Sequence, residues 1–171
     1  MNRVNRKKGI RYFWHIGASL LPVACCLLFF SSCTHLDLYE KNTIIPKYQW
    51  KGDFEAAGTF EISDTLSLHT INIVLRHTDA YKYNNIWLNF GLQLPGDTMS
   101  YQKIDIPLGN DANGWYGSGM DDIWEYRAKL NTTAMRFNKQ GTYHFIIKQI
   151  MRDDPLLHVI SAGVRVEKEM K

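Results

Sequence analysis

Cysteine is missing from the last 138 residues of this 171-residue chain, whose three copies are Cys25, Cys26 and Cys33. A domain built from that stretch has no disulfide, no Cys nucleophile and no Cys-based metal site, and must hold together by its core alone. No acidic residue precedes Asp37, whereas Arg3, Arg6, Lys7, Lys8 and Arg11 all lie in the first eleven positions. From residue 33 onward 15 basic residues face 17 acidic ones, a net of −2, so the positive balance of the whole chain does not mark a nucleic-acid binder. Apolar runs are short as well. The longest, Ile16 to Phe30, has fifteen residues and contains Pro22, fewer than the ~20 that span a bilayer comfortably. Absent too are HxH, HExxH, GxSxG and any Gly-rich phosphate loop, which leaves an enzyme without a recognisable motif. No catalytic residue, metal or cofactor is expected, and His35, His69, His77, His144 and His158 show no metal-ligand spacing. Disorder along the whole length is excluded by 45% hydrophobic and 13% aromatic residues against 22% charge.

The first thing present is an address. A basic start, an apolar stretch and then the small residues Ser31 and Ser32 form a secretory signal pattern. Cys33 follows at once, and Phe30-Ser-Ser-Cys33 is similar to the bacterial lipobox, with Phe30 where Leu, Val or Ile is usual. In such a sequence cleavage precedes the Cys, which is then acylated, and several acyl chains at ~0.8 kcal/mol per buried methylene anchor a protein essentially permanently. The expected organisation is a signal peptide over 1–32, lipidated Cys33 and a tether over 33–48, and one domain over 49–171.

That domain reads as strands. Ile86, Leu88, Phe90, Leu92 and Leu94 alternate with Trp87, Asn89, Gly91 and Gln93, and Pro95-Gly96-Asp97 then turns the chain into a partner strand over Met99 to Ile106. Ile71, Ile73 and Leu75 alternate with Asn72, Val74 and Arg76, and Ile160, Ala162, Val164 and Val166 with Ser161, Gly163, Arg165 and Glu167. Gly141 to Ile150 is apolar on both faces and is predicted to lie centrally in a sheet. His144 within it reads as a sheet residue rather than a ligand. Phe54 to Ile62 and Thr132 to Phe137 are weaker strands. Asp121 to Leu130 fits a short acid-capped helix or a strand. The fold class predicted is all-β, an antiparallel sandwich of about six to eight strands.

The densest unusual segment is Pro107 to Asp122. Asp111, Asp121 and Asp122 with Asn110 and Asn113 offer hard oxygen ligands of the kind Ca²⁺ takes, although the spacing is not that of a DxDxDG loop. Trp115 and Tyr116 offer a flat apolar surface to a partner protein or a sugar ring. The plainer alternative is an ordered connection in which Trp115 plugs the end of the sandwich. Candidate contact residues are Trp115, Tyr116, Gly117, Gly119 and Asp122.

The order of segments resembles the GldH family, gliding-motility lipoproteins of Bacteroidetes. The resemblance is carried by Tyr39 and Trp50 behind the lipobox, by Ile73-Val-Leu-Arg76 and by Tyr83-Asn-Asn-Ile-Trp-Leu88. Ile106-Pro-Leu108, Gly114-Trp-Tyr-Gly-Ser-Gly119, Gly141 to Arg152 and Val164-Arg-Val-Glu167 complete it. It implies a membrane-anchored lipoprotein of the gliding apparatus without known enzymatic activity, bound to the membrane through acylated Cys33 and to envelope proteins of the gliding or secretion machinery. It brings no catalytic residue with it. Thr34-His-Leu-Asp-Leu38 carries neither an acidic run for surface display nor an Asp directly after the Cys, so an outer-membrane position facing the periplasm is expected. A glycan-binding sandwich is the second reading, to be met by two or more coplanar exposed aromatics.

Overall fold

The computed structural model describes residues 38–169. The signal peptide expected over 1–32 and Cys33 lie outside them. Two antiparallel sheets face one another across a single core. The five-stranded sheet contains β1 (Leu38–Ile44), β4 (His69–Thr78), β9 (Ser118–Met120), β10 (Ile123–Lys129) and β13 (Val159–Lys168), in the spatial order β1-β13-β4-β10-β9. The four-stranded sheet contains β3 (Ala56–Ile62), β5 (Asn85–Gln93), β6 (Ser100–Pro107) and β11 (Gly141–Gln149), in the order β3-β11-β5-β6. Two small pairs cap one end. These are β2 (Gln49–Trp50) with β12 (Leu156–Leu157), and β7 (Gly109–Asn110) with β8 (Gly114–Trp115). The sandwich is all-β and antiparallel as predicted, with nine strands in its two main sheets.

Period-two alternation explains the inner faces. Ile71, Ile73 and Leu75 of β4 meet Ile86, Leu88 and Phe90 of β5 and Tyr143, Phe145 and Ile147 of β11 in one buried cluster. Phe60, Phe137 and Tyr143 lock one end together, with Phe60 stacked on Tyr143 at 5.2 Å and Phe137 edge-on to Tyr143 at 4.9 Å. Such pairs contribute ~0.5–1.5 kcal/mol beyond their buried area. Outside, the five-stranded sheet carries a ladder of charges. Glu125 accepts from Arg76 and Arg127, Arg127 reaches Glu40, and Arg165 bridges Glu40 and Glu167. Burial would push the Glu40 carboxyl up, but hydrogen bonds from Arg165 and Asn42 and the charges of Arg127 and Arg165 hold it below its usual range.

Several expectations change. The stretch read as a tether contains β1, which pairs with β13 along its whole length from Leu38↔Glu167 to Ile44↔Ser161. Residues 38–44 therefore belong to the folded domain rather than to a tether. Asp121 to Leu130 is strand rather than helix, because Trp124, Tyr126 and Ala128 alternate against β4. Thr132 to Phe137 forms no strand; its pairing is limited to the bridge His69↔Met135, while Phe137 packs into the core. β11 is central, between β3 and β5, but its outer face is open and His144 is exposed there.

Candidate functional site

Strand registers fix which loops share an end. Leu38 is paired with Glu167, and Glu167 with Thr70, so the chain enters the sandwich beside the start of β4. At the other end of β4, Thr78 is paired with Ile123. The ten residues of β4 separate the two ends by about 30 Å at ~3.3 Å per residue. Residues 107–122 therefore lie at the end remote from Leu38, together with 45–55, 78–85 and 149–159.

That remote end is tightly built. Trp50 is fully buried and its indole N–H donates to the Phe54 carbonyl at 3.0 Å. Gln149, 3% exposed, sits beneath the loops as a hub. Its amide nitrogen donates to the carbonyls of Trp50 at 3.3 Å and Asp153 at 3.2 Å, and its oxygen accepts the Met151 N–H at 2.7 Å. The Tyr83 hydroxyl donates to Asp153 at 2.8 Å, and Asp154 accepts the Gly52 N–H at 2.9 Å. The Asp154–Pro155 bond is cis.

In the 107–122 segment, Asn110 organises a tight turn. Its side-chain oxygen accepts the N–H groups of Ala112 and Asn113 at 3.1 and 2.7 Å, and its amide donates to the Tyr116 hydroxyl at 2.7 Å. Trp115 is half-buried and lies edge-on to His77 at 4.6 Å, with Tyr81 at 6.2 Å. It closes the end of the core, the plainer of the two expectations for it. Tyr116 lies 5.8 Å from Tyr126. Gly117 has φ +94°, and a Cβ there would stand 2.1 Å from the Glu125 carbonyl oxygen, so only glycine fits. Gly119 is crossed by the Trp124 ring, whose nearest atoms lie 3.0 Å from where a Cβ would be. Two parts of the segment face solvent, Asp111 to Gly114 and the tip from Gly117 onward, where Met120 is 78% exposed and Asp121 and Asp122 are exposed as well. The Asp122 carbonyl accepts the Asp79 N–H at 2.8 Å.

Asp111, Asp121 and Asp122 do not come together, and among the described residues no three His, Cys, Asp or Glu side chains form a metal-sized group. Nor do the tryptophans among the described residues form a sugar platform. Trp50 is buried, Trp115 and Trp124 are half-buried, and Trp87 stands on the outer face of the four-stranded sheet. The other exposed ring on that face, Tyr101, is opposite Gly91, four positions along β5 from Trp87, or roughly 13 Å away.

His77 was not singled out by the sequence. It is 1% exposed, its Nδ1 lies 2.8 Å from the Thr78 carbonyl, and its Nε2 has no partner. A carbonyl can only accept, so Nδ1 carries a proton in this contact. Burial pushes its pKa down, with the bond to Thr78 opposing weakly. The neighbouring Tyr81 hydroxyl donates to the Asn85 carbonyl at 3.0 Å and is pushed up, first by burial and then by the charges of Tyr83 and Asp153.

Part of the sequence resemblance, Trp50, Tyr83 to Leu88, Ile106 to Leu108 and Gly114 to Gly119, falls at this end, whereas Tyr39 and Val164 to Glu167 pair at the other, and a family model described as GldH lipoprotein matches residues 37–166. The chain belongs to the GldH lipoprotein family. A gliding motility lipoprotein GldH of Flavobacterium johnsoniae is 22% identical over 164 residues, covering 89% of this chain and 96% of that protein. Among solved structures, a chain from an infectious bursal disease virus structure aligns with 79% of this chain and 38% of its own length. Its identity is 9% and its TM-score 0.16, too slight a likeness to bear on the fold. GldH proteins are lipoproteins of the gliding system, which fits the lipobox and the β-domain behind it.

Proposed function

We propose that the chain is exported, cleaved before Cys33 and acylated there, and that its sandwich serves the envelope part of the gliding apparatus as a non-enzymatic assembly component. The outer membrane, with the domain in the periplasm, is its proposed site. The observation that carries this reading is the spacing between Cys33 and the first strand. Only Thr34 to Asp37 intervene, and five Cα steps reach at most ~18 Å. An acyl group on Cys33 would hold the Leu38 end near the bilayer and leave the 107–122 loop about 30 Å further out. In this arrangement Trp115 and Tyr116 shape the loop from within, while Gly117 to Asp122 present its tip to a partner protein.

Two substitutions test the two halves of the proposal. Cys33→Ser should abolish incorporation of labelled fatty acid and release the protein from carbonate-washed membranes. Full retention of this variant would sink the anchor. Met120→Glu should keep the melting temperature of the parent and reduce recovery of cross-linked envelope partners, because Met120 is 78% exposed. Unchanged recovery would remove the loop tip as the contact.

A further inference from the structure

One long side of the sandwich is open. β6 ends the four-stranded sheet, and β9 covers β10 only at Ile123 to Glu125, so β10 has no outer neighbour from Tyr126 to Lys129 among the described residues. Outside the sheet ladders, no main-chain hydrogen bond among the described residues engages 100–107 or 124–129. Unpaired N–H and C=O groups therefore border the opening from both sheets. Between them run two recesses of about 380 Å³ each. The first has Ile73, Ile104 and Ala128 on its walls and the second has Phe90 and Gln102, and Leu130 belongs to both. They are successive parts of one groove along β6, whose eight residues measure ~26 Å.

The groove's chemistry names its occupant. Two rows of unpaired main-chain groups over a mixed lining, in which Ile73, Ile104, Ala128 and Leu130 supply the apolar contacts, fit an extended chain, which supplies backbone partners and places every second side chain inward. The lips are cationic. Lys103 and Lys129 are exposed, Arg127 is 47% exposed but already paired with Glu125 and Glu40, and Asp105 adds one carboxylate, hydrogen-bonded to the Asn85 amide at 2.7 Å. Side chains pointing outward from an added strand would meet these cations, so acidic residues fit there.

We propose that this seam takes up an extended segment of a partner protein, apolar at alternate positions and acidic between them, as an added β-strand. The site is separate from the 107–122 tip and does not depend on acylation of Cys33.

The test is site-specific photo-cross-linking of the full chain in the producing cells, with benzoylphenylalanine at Gln102 and, for comparison, at Thr59 on the opposite edge strand. The expected result is an adduct at Gln102 to one segment of another protein, whose mapped sequence alternates apolar and acidic residues. Ala128→Leu, which fills the first recess, should cut its yield by about tenfold, the equivalent of one decade in affinity. If that variant melts early, Lys103→Glu with Lys129→Glu reverses the lip charge without touching the core and should cut the yield several-fold. Yield at Gln102 no higher than at Thr59 overturns the proposal, as do adducts to lipid, to a second copy, or to a segment without the alternation. A probe at Met120 reports the loop tip separately, so failure of one site is distinguishable from failure of the other.

Discussion

Replacing Gln149 by Leu removes three hydrogen bonds from beneath the loops while keeping an apolar side chain of similar length. The change orphans the Met151 N–H, which loses its acceptor at 2.7 Å, and takes a donor from each of the Trp50 and Asp153 carbonyls at 3.3 and 3.2 Å. An orphaned buried donor costs about 1–3 kcal/mol and each longer bond contributes roughly 0.5–1 kcal/mol. Leu recovers about 1 kcal/mol through its apolar surface, leaving a net loss of about 1–4 kcal/mol, centred on ~2.5 kcal/mol. In a domain of this size the central value lowers the melting temperature by roughly 6–12 °C. Urea titration of the acyl-free Cys33→Ser chain, followed by tryptophan fluorescence, measures it, because fully buried Trp50 accepts one of these bonds at its carbonyl. Gln149→Glu sharpens the test. Its carboxylate can still accept from Met151 but sets an anionic oxygen against two carbonyls, so it should regain stability in mild acid, where the protonated group donates again. A loss below about 1 kcal/mol for Leu, together with no acid recovery for Glu, would refute the hub.

Other consequences can be measured in the same way. Stability should decline as pH falls below about 6.5, the unfolded pKa of histidine. His77 is depressed in the fold, so its contribution is complete above that value and is lost as protonation begins to favour the unfolded chain. His77→Phe should flatten the urea midpoint over this window, and an unchanged slope would place the effect elsewhere. Gly163→Ala should detach β1, since a Cβ there would lie 2.0 Å from the Lys41 carbonyl oxygen. Its expected cost is about 3 kcal/mol or more, read as lost amide protection over 38–44, and retained protection would contradict the pairing.

How much of this was legible in the sequence depended on where each strand lies. β4, β5 and β13 announce themselves by alternation, because one of their faces is wholly buried. β1 does not, because it is an edge strand with no fully buried residue, held by pairing to a partner at the far end of the chain. In β10 two periods coincide. Ile123, Tyr126, Arg127 and Leu130 have helical spacing, yet pairing to β4 selects the alternation. The acidic pair before it is no cap, and Asp121 takes φ +54° in a turn. The Trp115 plug was foreseen as one of two readings. The open seam between β6 and β10 was not, since it arises from which strands end each sheet, and no local pattern records that.

Pairing of the first strand with the last also governs the order in which the domain can assemble. Glu40 and Arg165 are 125 positions apart and yet joined at 2.8 Å. A chain delivered amino end first presents Leu38–Ile44 long before Val159–Lys168 emerges, so β1 waits with its edge unsatisfied and β4 lacks one of its two neighbours. Closure therefore waits until β13 has been delivered. A premature stop ahead of β13 would leave both strands open at once and yield a chain marked for degradation or aggregation.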